Sequence, residues 1–114
     1  MSGLAQVVPV RQDEVVVARL EGEIDASNRG LVGHRLRDLV TNRAELMVID
    51  LSGVTYLDST GIALLFELGA ELRQRQQRLR VAVPAESPIA RIVSLTGLAR
   101  AVPVHPTVDA ALVS

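Results

Sequence analysis

The run Leu46-Met47-Val48-Ile49-Asp50-Leu51 constrains the fold of this chain more than any other segment. It is nearly continuous in apolar character, so as a strand it leaves no side for water and must be covered on both faces. Ser52-Gly53 follows at once and reads as its stop. A strand buried in this way belongs at the centre of a sheet, and its covers must come from the segments that flank it.

Those segments have the required periods. Val15-Val16-Val17-Ala18-Arg19-Leu20 is a short β-branched run, and Gly22 to Asp25 after it supplies turn and cap residues. From Ser27 to about Thr41, Val32, Leu36, Leu39 and Val40 recur at helical spacing, with Asp25 or Ser27 as the expected cap. Beyond the connection Val54 to Asp58, a second helix is expected from near Ser59, with Ile62, Leu65, Phe66, Gly69 and Leu72 on one stripe. Leu79 to Val83 alternates as a strand before Pro84. Ile89, Ile92 and Val93 mark a third helix that stops at Thr96-Gly97, Ala101 to Val104 reads as a short strand, and Val108, Ala111 and Leu112 suggest a last helical turn or two. Strands that alternate with helices of this length imply parallel crossovers: an α/β domain with a mixed sheet of about four or five strands and about four helices.

Composition narrows the function. The chain has 114 residues, 48% of them hydrophobic and 22% charged, which suits one domain that folds alone. A net charge of -1 gives no general attraction to nucleic acid or anionic lipid. Tyr56 and Phe66 are the only aromatic residues, too few for the stacking platforms of single-strand binders. With no cysteine there is no thiolate nucleophile and no thiolate metal ligand, and His34 and His105 are too far apart in sequence to make a metal motif. Neither a Walker loop nor Gly-x-Gly-x-x-Gly is present, so no cofactor is expected. Met1 to Val10 lacks the features of a signal peptide, and no apolar stretch approaches the ~20 residues that span a bilayer. A cytoplasmic protein without a membrane partner is the expectation.

The most unusual local arrangement is Asp50-Leu51-Ser52-Gly53-Val54-Thr55-Tyr56-Leu57-Asp58-Ser59-Thr60-Gly61. It sets two hydroxyls and a carboxylate at an expected helix start, where free backbone N–H groups and the positive dipole end favour an anion. The plain alternative is that Asp58 or Ser59 is an ordinary N-cap. An esterase elbow would need Gly-x-Ser-x-Gly, and Leu57 stands where its first glycine should be. The arginines Arg73, Arg75, Arg78 and Arg80 read as a solvated helix end set against the negative dipole.

The segment from Asp50 to Gly61 closely resembles the signature of the STAS domain, shared by sulfate transporters and anti-sigma factor antagonists, and most of all the small stand-alone antagonists. Gly22-Glu23-Ile24-Asp25 and Leu95-Thr96-Gly97-Leu98 extend the resemblance over almost the whole chain, residues 1–114. It implies that Ser59 is the phosphorylation site, with Thr60 a minor candidate, and that Asp25, Asp58, Ser59, Thr60 and Gly61 meet the partner. That partner would be an anti-sigma factor, a serine kinase of the histidine-kinase-like ATPase fold. The unphosphorylated antagonist binds it and frees a sigma factor; phosphorylation ends the binding, and a metal-dependent serine phosphatase restores it. No catalysis by the antagonist itself is implied. In one departure from the family, Ala63 occupies a region where small antagonists often have a second glycine. The alternative is a STAS-like scaffold subunit of a signalling or transporter assembly, with no kinase cycle.

Overall fold

The structure, a computed structural model, describes residues 6–12 and 14–113. In chain order the elements are β1 (Gln6–Gln12), β2 (Val15–Ile24), α1 (Arg29–Leu39), β3 (Leu46–Leu57), α2 (Ser59–Gln74), β4 (Arg78–Ala82), α3 (Ala90–Thr96), α4 (Leu98–Ala101), β5 (Val104–His105) and α5 (Val108–Val113). The five strands form one sheet in the order β1-β2-β3-β4-β5, with β1 antiparallel to β2 and the other neighbours parallel.

Crossovers of one hand that step in one direction put their helices on one face. Accordingly Val32 and Leu36 of α1, Leu64, Leu65 and Leu68 of α2, Val93 of α3 and Leu98 of α4 share a core with Ile49 and Leu51. On the opposite face Ala111 of α5 packs with Leu46 and Val48, flanked by Val15, Val17 and Val108. The two-sided cover expected of Leu46 to Leu51 is therefore present: all but Asp50 are buried.

The structure corrects several expectations. Ser52-Gly53 does not stop β3, which runs on to Leu57. The pairing with β2 steps from Arg19–Asp50 to Glu21–Gly53 and from Gly22–Val54 to Glu23–Tyr56, so Ser52-Gly53 marks a bulge in a continuing strand. For the same reason Gly22 to Ile24 is strand, not turn. β1 was not anticipated; it pairs antiparallel with β2, Gln12 opposite Val15 and Gln6 opposite Glu21. The reading of Met1 to Val10 as carrying no leader falls partly outside the described residues, and Gln6 to Val10 belong to β1. Leu98 to Ala101 is helical, and the short strand comes later, at Val104–His105. Gly97 makes this possible at φ 76, a left-handed setting that ends α3 and lets α4 begin immediately.

The arginine run is also divided. α2 ends in a Schellman turn: Gln77 N–H donates to Leu72 C=O at 2.8 Å, Gln76 N–H donates to Arg73 C=O at 3.0 Å, and Gln76 has φ 60. Arg78 and Arg80 consequently lie in β4, and buried Arg80 donates from Nη1 to the Ala111 carbonyl at 2.6 Å. It tethers α5 to the sheet instead of decorating a helix end.

Candidate functional site

Parallel pairing brings the ends of β2 and β3 together, with Ile24 opposite Leu57. Both strands then lead into helices, so the Asp25 loop and the start of α2 emerge side by side. Asp58 N–H donates to the Ile24 carbonyl at 3.3 Å, which fixes the exit of β3 against that of β2.

Asp58 is the N-cap of α2. Its Oδ1 accepts from Thr60 N–H at 3.0 Å, from Gly61 N–H at 3.2 Å and from the Thr60 hydroxyl at 2.5 Å. The Thr60 hydroxyl is the main reason its carboxyl is held below the usual range. Partial burial opposes this, and the N–H groups of Gly61, Thr60 and Ala26 reinforce it. Gly61 is demanded by close approach, since a Cβ there would sit 2.4 Å from Leu57 Cδ1 and 3.1 Å from Ile24 Cγ2. A side chain at 61 would push α2 off the ends of β2 and β3.

Ser59 follows the cap as the first residue of α2 and is exposed. Thr60 differs: it is partly buried, and its hydroxyl is committed to Asp58. Of the two hydroxyls, Ser59 is the one offered to solvent.

Asp25 does not cap α1, and neither does Ser27; the N-cap is Asn28. Helical geometry begins later because the loop folds on itself first. The Asp25 carboxylate accepts from Ser27 N–H at 2.9 Å and from the Ser27 hydroxyl at 2.5 Å, and the Asp25 carbonyl accepts from Arg29 N–H at 2.9 Å. The structure thus brings Asp25, Asp58, Ser59, Thr60 and Gly61 to one end of the sheet. The Leu95-Thr96-Gly97-Leu98 motif serves the α3–α4 turn: Thr96 Oγ1 donates to the Val93 carbonyl at 2.8 Å, Leu98 is in the core, and Leu95 is 74% exposed. His34 lies on exposed α1 beside Asp38 at 3.3 Å, and His105 lies in β5 level with Asp50, far down β3 from Ser59.

Three residues at this end escaped the sequence reading. Asn28 is buried under the Asp25 loop, and its signal was its place just ahead of the helix. Tyr56, 50% exposed at the end of β3, and Leu31, exposed early in α1, had no signal, because apolar residues there look like core. Among the described residues no group of three or more His, Asp or Glu could hold a metal ion.

Residues 6–111 match the STAS domain family. An anti-sigma factor antagonist from Mycobacterium paratuberculosis is similar in structure, with TM-score 0.79 and 29% identity over 95% of this chain and 91% of that one. The anti-sigma factor antagonist SpoIIAA in its unphosphorylated form superposes with TM-score 0.72 at 19% identity, over 95% of this chain and 92% of that one. The murine anion transporter Slc26a9 contains a similar fold, with TM-score 0.73 and 14% identity over 90% of this chain but 18% of the transporter. No curated protein sequence is a match. Among the described residues no helix is long and apolar enough to cross a membrane.

Proposed function

From its membership of the STAS domain family, to which this chain belongs, we propose that it is an anti-sigma factor antagonist governed by phosphorylation of Ser59. What carries this reading is the exposed Ser59 hydroxyl at the start of α2, one residue after the Asp58 cap and beside the Asp25 loop. Unphosphorylated, the surface of Asp25, Asp58, Ser59, Thr60 and Gly61 binds an anti-sigma factor serine kinase of the histidine-kinase-like ATPase fold, and a sigma factor is released. The kinase transfers phosphate from ATP to Ser59, binding ends, and a metal-dependent serine phosphatase resets the cycle. The protein performs no catalysis itself; it works in the cytoplasm, where those partners act.

The placement of Ser59 explains how such a switch can spare the fold. Phosphate brings about -1.5 to -2 charges and three strong acceptors. At a helix N-terminus the dipole and free N–H groups stabilise an anion by about 0.3–1 kcal/mol, offset in part by the neighbouring Asp58 carboxylate. Binding is lost at the interface, where a dianion replaces a small hydroxyl and an unpaired buried charge costs several kcal/mol. At ~1.4 kcal/mol per tenfold, that is enough to dissociate an ordinary complex.

The test is to incubate the protein with candidate anti-sigma kinases and ATP, then map the phosphate. Modification of Ser59, abolished in Ser59→Ala, with binding weakened at least about a hundredfold (~2.7 kcal/mol) and a similar melting temperature, supports the proposal. Phosphate mainly on Ser52, Ser87 or Ser94 refutes the residue assignment. A second reading is favoured by the likeness to the transporter's domain: a scaffold subunit of a signalling or transporter assembly with no kinase cycle. Absence of both phosphorylation and binding across the anti-sigma kinases would support it instead.

A further inference from the structure

The Asp25 loop is closed from within by a single side chain. Asn28 is 2% exposed, its Oδ1 accepts from Asp25 N–H at 3.0 Å, and its Nδ2 donates to the Glu23 carbonyl at 2.7 Å. One amide orientation satisfies both contacts, because the acceptor faces an N–H and the donor faces a C=O. The hydroxyl of a serine is too short to span them, and an alanine would leave both backbone groups unmet. The backbone of Asn28 belongs to the same closure: its N–H donates to the Asp25 carbonyl at 3.2 Å, and its carbonyl accepts from Val32 N–H at 2.9 Å in the first turn of α1.

These contacts join a wider unit. The last two carbonyls of β2 are both engaged, Glu23 by Asn28 and Ile24 by Asp58 N–H at 3.3 Å. The Ala26 N–H, next to Asp25, also favours the charged form of the Asp58 carboxyl. Asp25 is therefore held by Asn28, through its N–H and its carbonyl. Its carboxylate is aimed by the backbone, since its own side-chain contacts reach only Ser27, inside the loop.

We propose that Asn28 is a positioning residue for partner recognition: it holds the Asp25 loop in the conformation that binds, so the contribution of Asp25 depends on residue 28. The inference rests on the reading of Asp25 as a partner contact. Asn28 itself touches no partner, being buried; it acts through the Asp25 N–H and the Glu23 carbonyl.

The experiment combines anti-sigma kinase binding by wild type, Asp25→Ala, Asn28→Ser and the double variant with backbone amide chemical shifts of each free protein. Asn28→Ser is chosen because serine is a good N-cap and preserves the start of α1, while it cannot bridge Glu23 and Asp25. Asn28→Ser is expected to melt as a folded protein, to shift the Asp25 and Ser27 amides, and to weaken binding about tenfold. The double variant should bind about as weakly as Asp25→Ala alone, because a mispositioned Asp25 has little left to lose. If the two single effects multiply in the double variant, or if folded Asn28→Ser binds like wild type, Asn28 is not a positioning residue. If wild type binds none of the anti-sigma kinases, the proposed function fails separately. The amide shifts then decide the inference: unchanged Asp25 and Ser27 amides in Asn28→Ser refute the brace, and displaced ones uphold it. If Asn28→Ser does not fold, Asn28→Asp supplies the same comparison, keeping the acceptor for Asp25 N–H and losing the donor to Glu23.

Discussion

Replacing Asp58 by alanine tests the central claim that one carboxylate organises both halves of the site. The change removes the acceptor for Thr60 N–H at 3.0 Å, Gly61 N–H at 3.2 Å and the Thr60 hydroxyl at 2.5 Å. Loss of an N-cap costs about 0.5–2 kcal/mol, and hydrogen bonds to a charged group lie at the upper end of the usual range. Because Gly61 is buried, its N–H has poor access to replacement water. A loss of about 2 kcal/mol is expected, which for a domain of this size lowers the melting temperature by about 8 °C. Asp58→Asn keeps a side-chain acceptor and should lose less than half as much. Urea unfolding at neutral pH measures both, and an unchanged m-value shows that the same surface is still exposed. The pH dependence follows in sign. The folded carboxyl lies below its ordinary value, so its stabilisation is fully present above the unfolded pKa of about 3.9 and is lost as pH falls through the lower folded value. The gap between wild type and Asp58→Asn should stay constant from neutral pH to about pH 5 and close only in stronger acid. An Asp58→Ala protein as stable as wild type, or an asparagine variant as damaged as the alanine one, would refute the reasoning.

Gly61→Val should destabilise by at least about 2 kcal/mol despite glycine's poor helix propensity, because the new Cβ meets Leu57 at 2.4 Å and Ile24 at 3.1 Å; a melting temperature equal to wild type would show that α2 can move away at no cost. Arg37 donates twice to Glu71, at 2.9 and 2.9 Å, and a double-mutant cycle on this exposed but bidentate pair should give a coupling of about 0.5–1 kcal/mol that shrinks in 1 M salt. Zero coupling at low salt contradicts that. Arg80→Ala leaves the Ala111 carbonyl without its donor at 2.6 Å, so a loss of about 1–3 kcal/mol is expected, with hydrogen-exchange protection falling first in α5. Protection lost uniformly over the sheet would argue that Arg80 does not act through α5.

Local sequence determined the periods, and the periods determined most of the elements, though not β1 or the helical turn at Leu98–Ala101. Leu46 to Leu51 could not have been an edge strand, because five apolar residues interrupted only by Asp50 need two covers; Val32 and Leu36 could not have faced water as a stripe. The Asp58-Ser59-Thr60-Gly61 segment likewise carried its own structure, since a carboxylate two residues ahead of a threonine can cap a helix without help from elsewhere. Only the tertiary structure decided the rest. β3 continues through Ser52-Gly53 because a neighbouring strand, β2, accommodates the bulge, and no local rule contains that neighbour. Arg80 is strand and not helix end because a Schellman turn at Gln76 reversed the chain first, and its burial is tolerable because α5 brings it a carbonyl from 31 residues away. Asn28 fell inside the helix expected from Ser27, as one more polar residue of its first turn. Its amide became a brace only when the end of β2 and the Asp25 loop closed around it, for a hydrogen bond needs both partners within 3 Å or so, and the fold alone supplies the second.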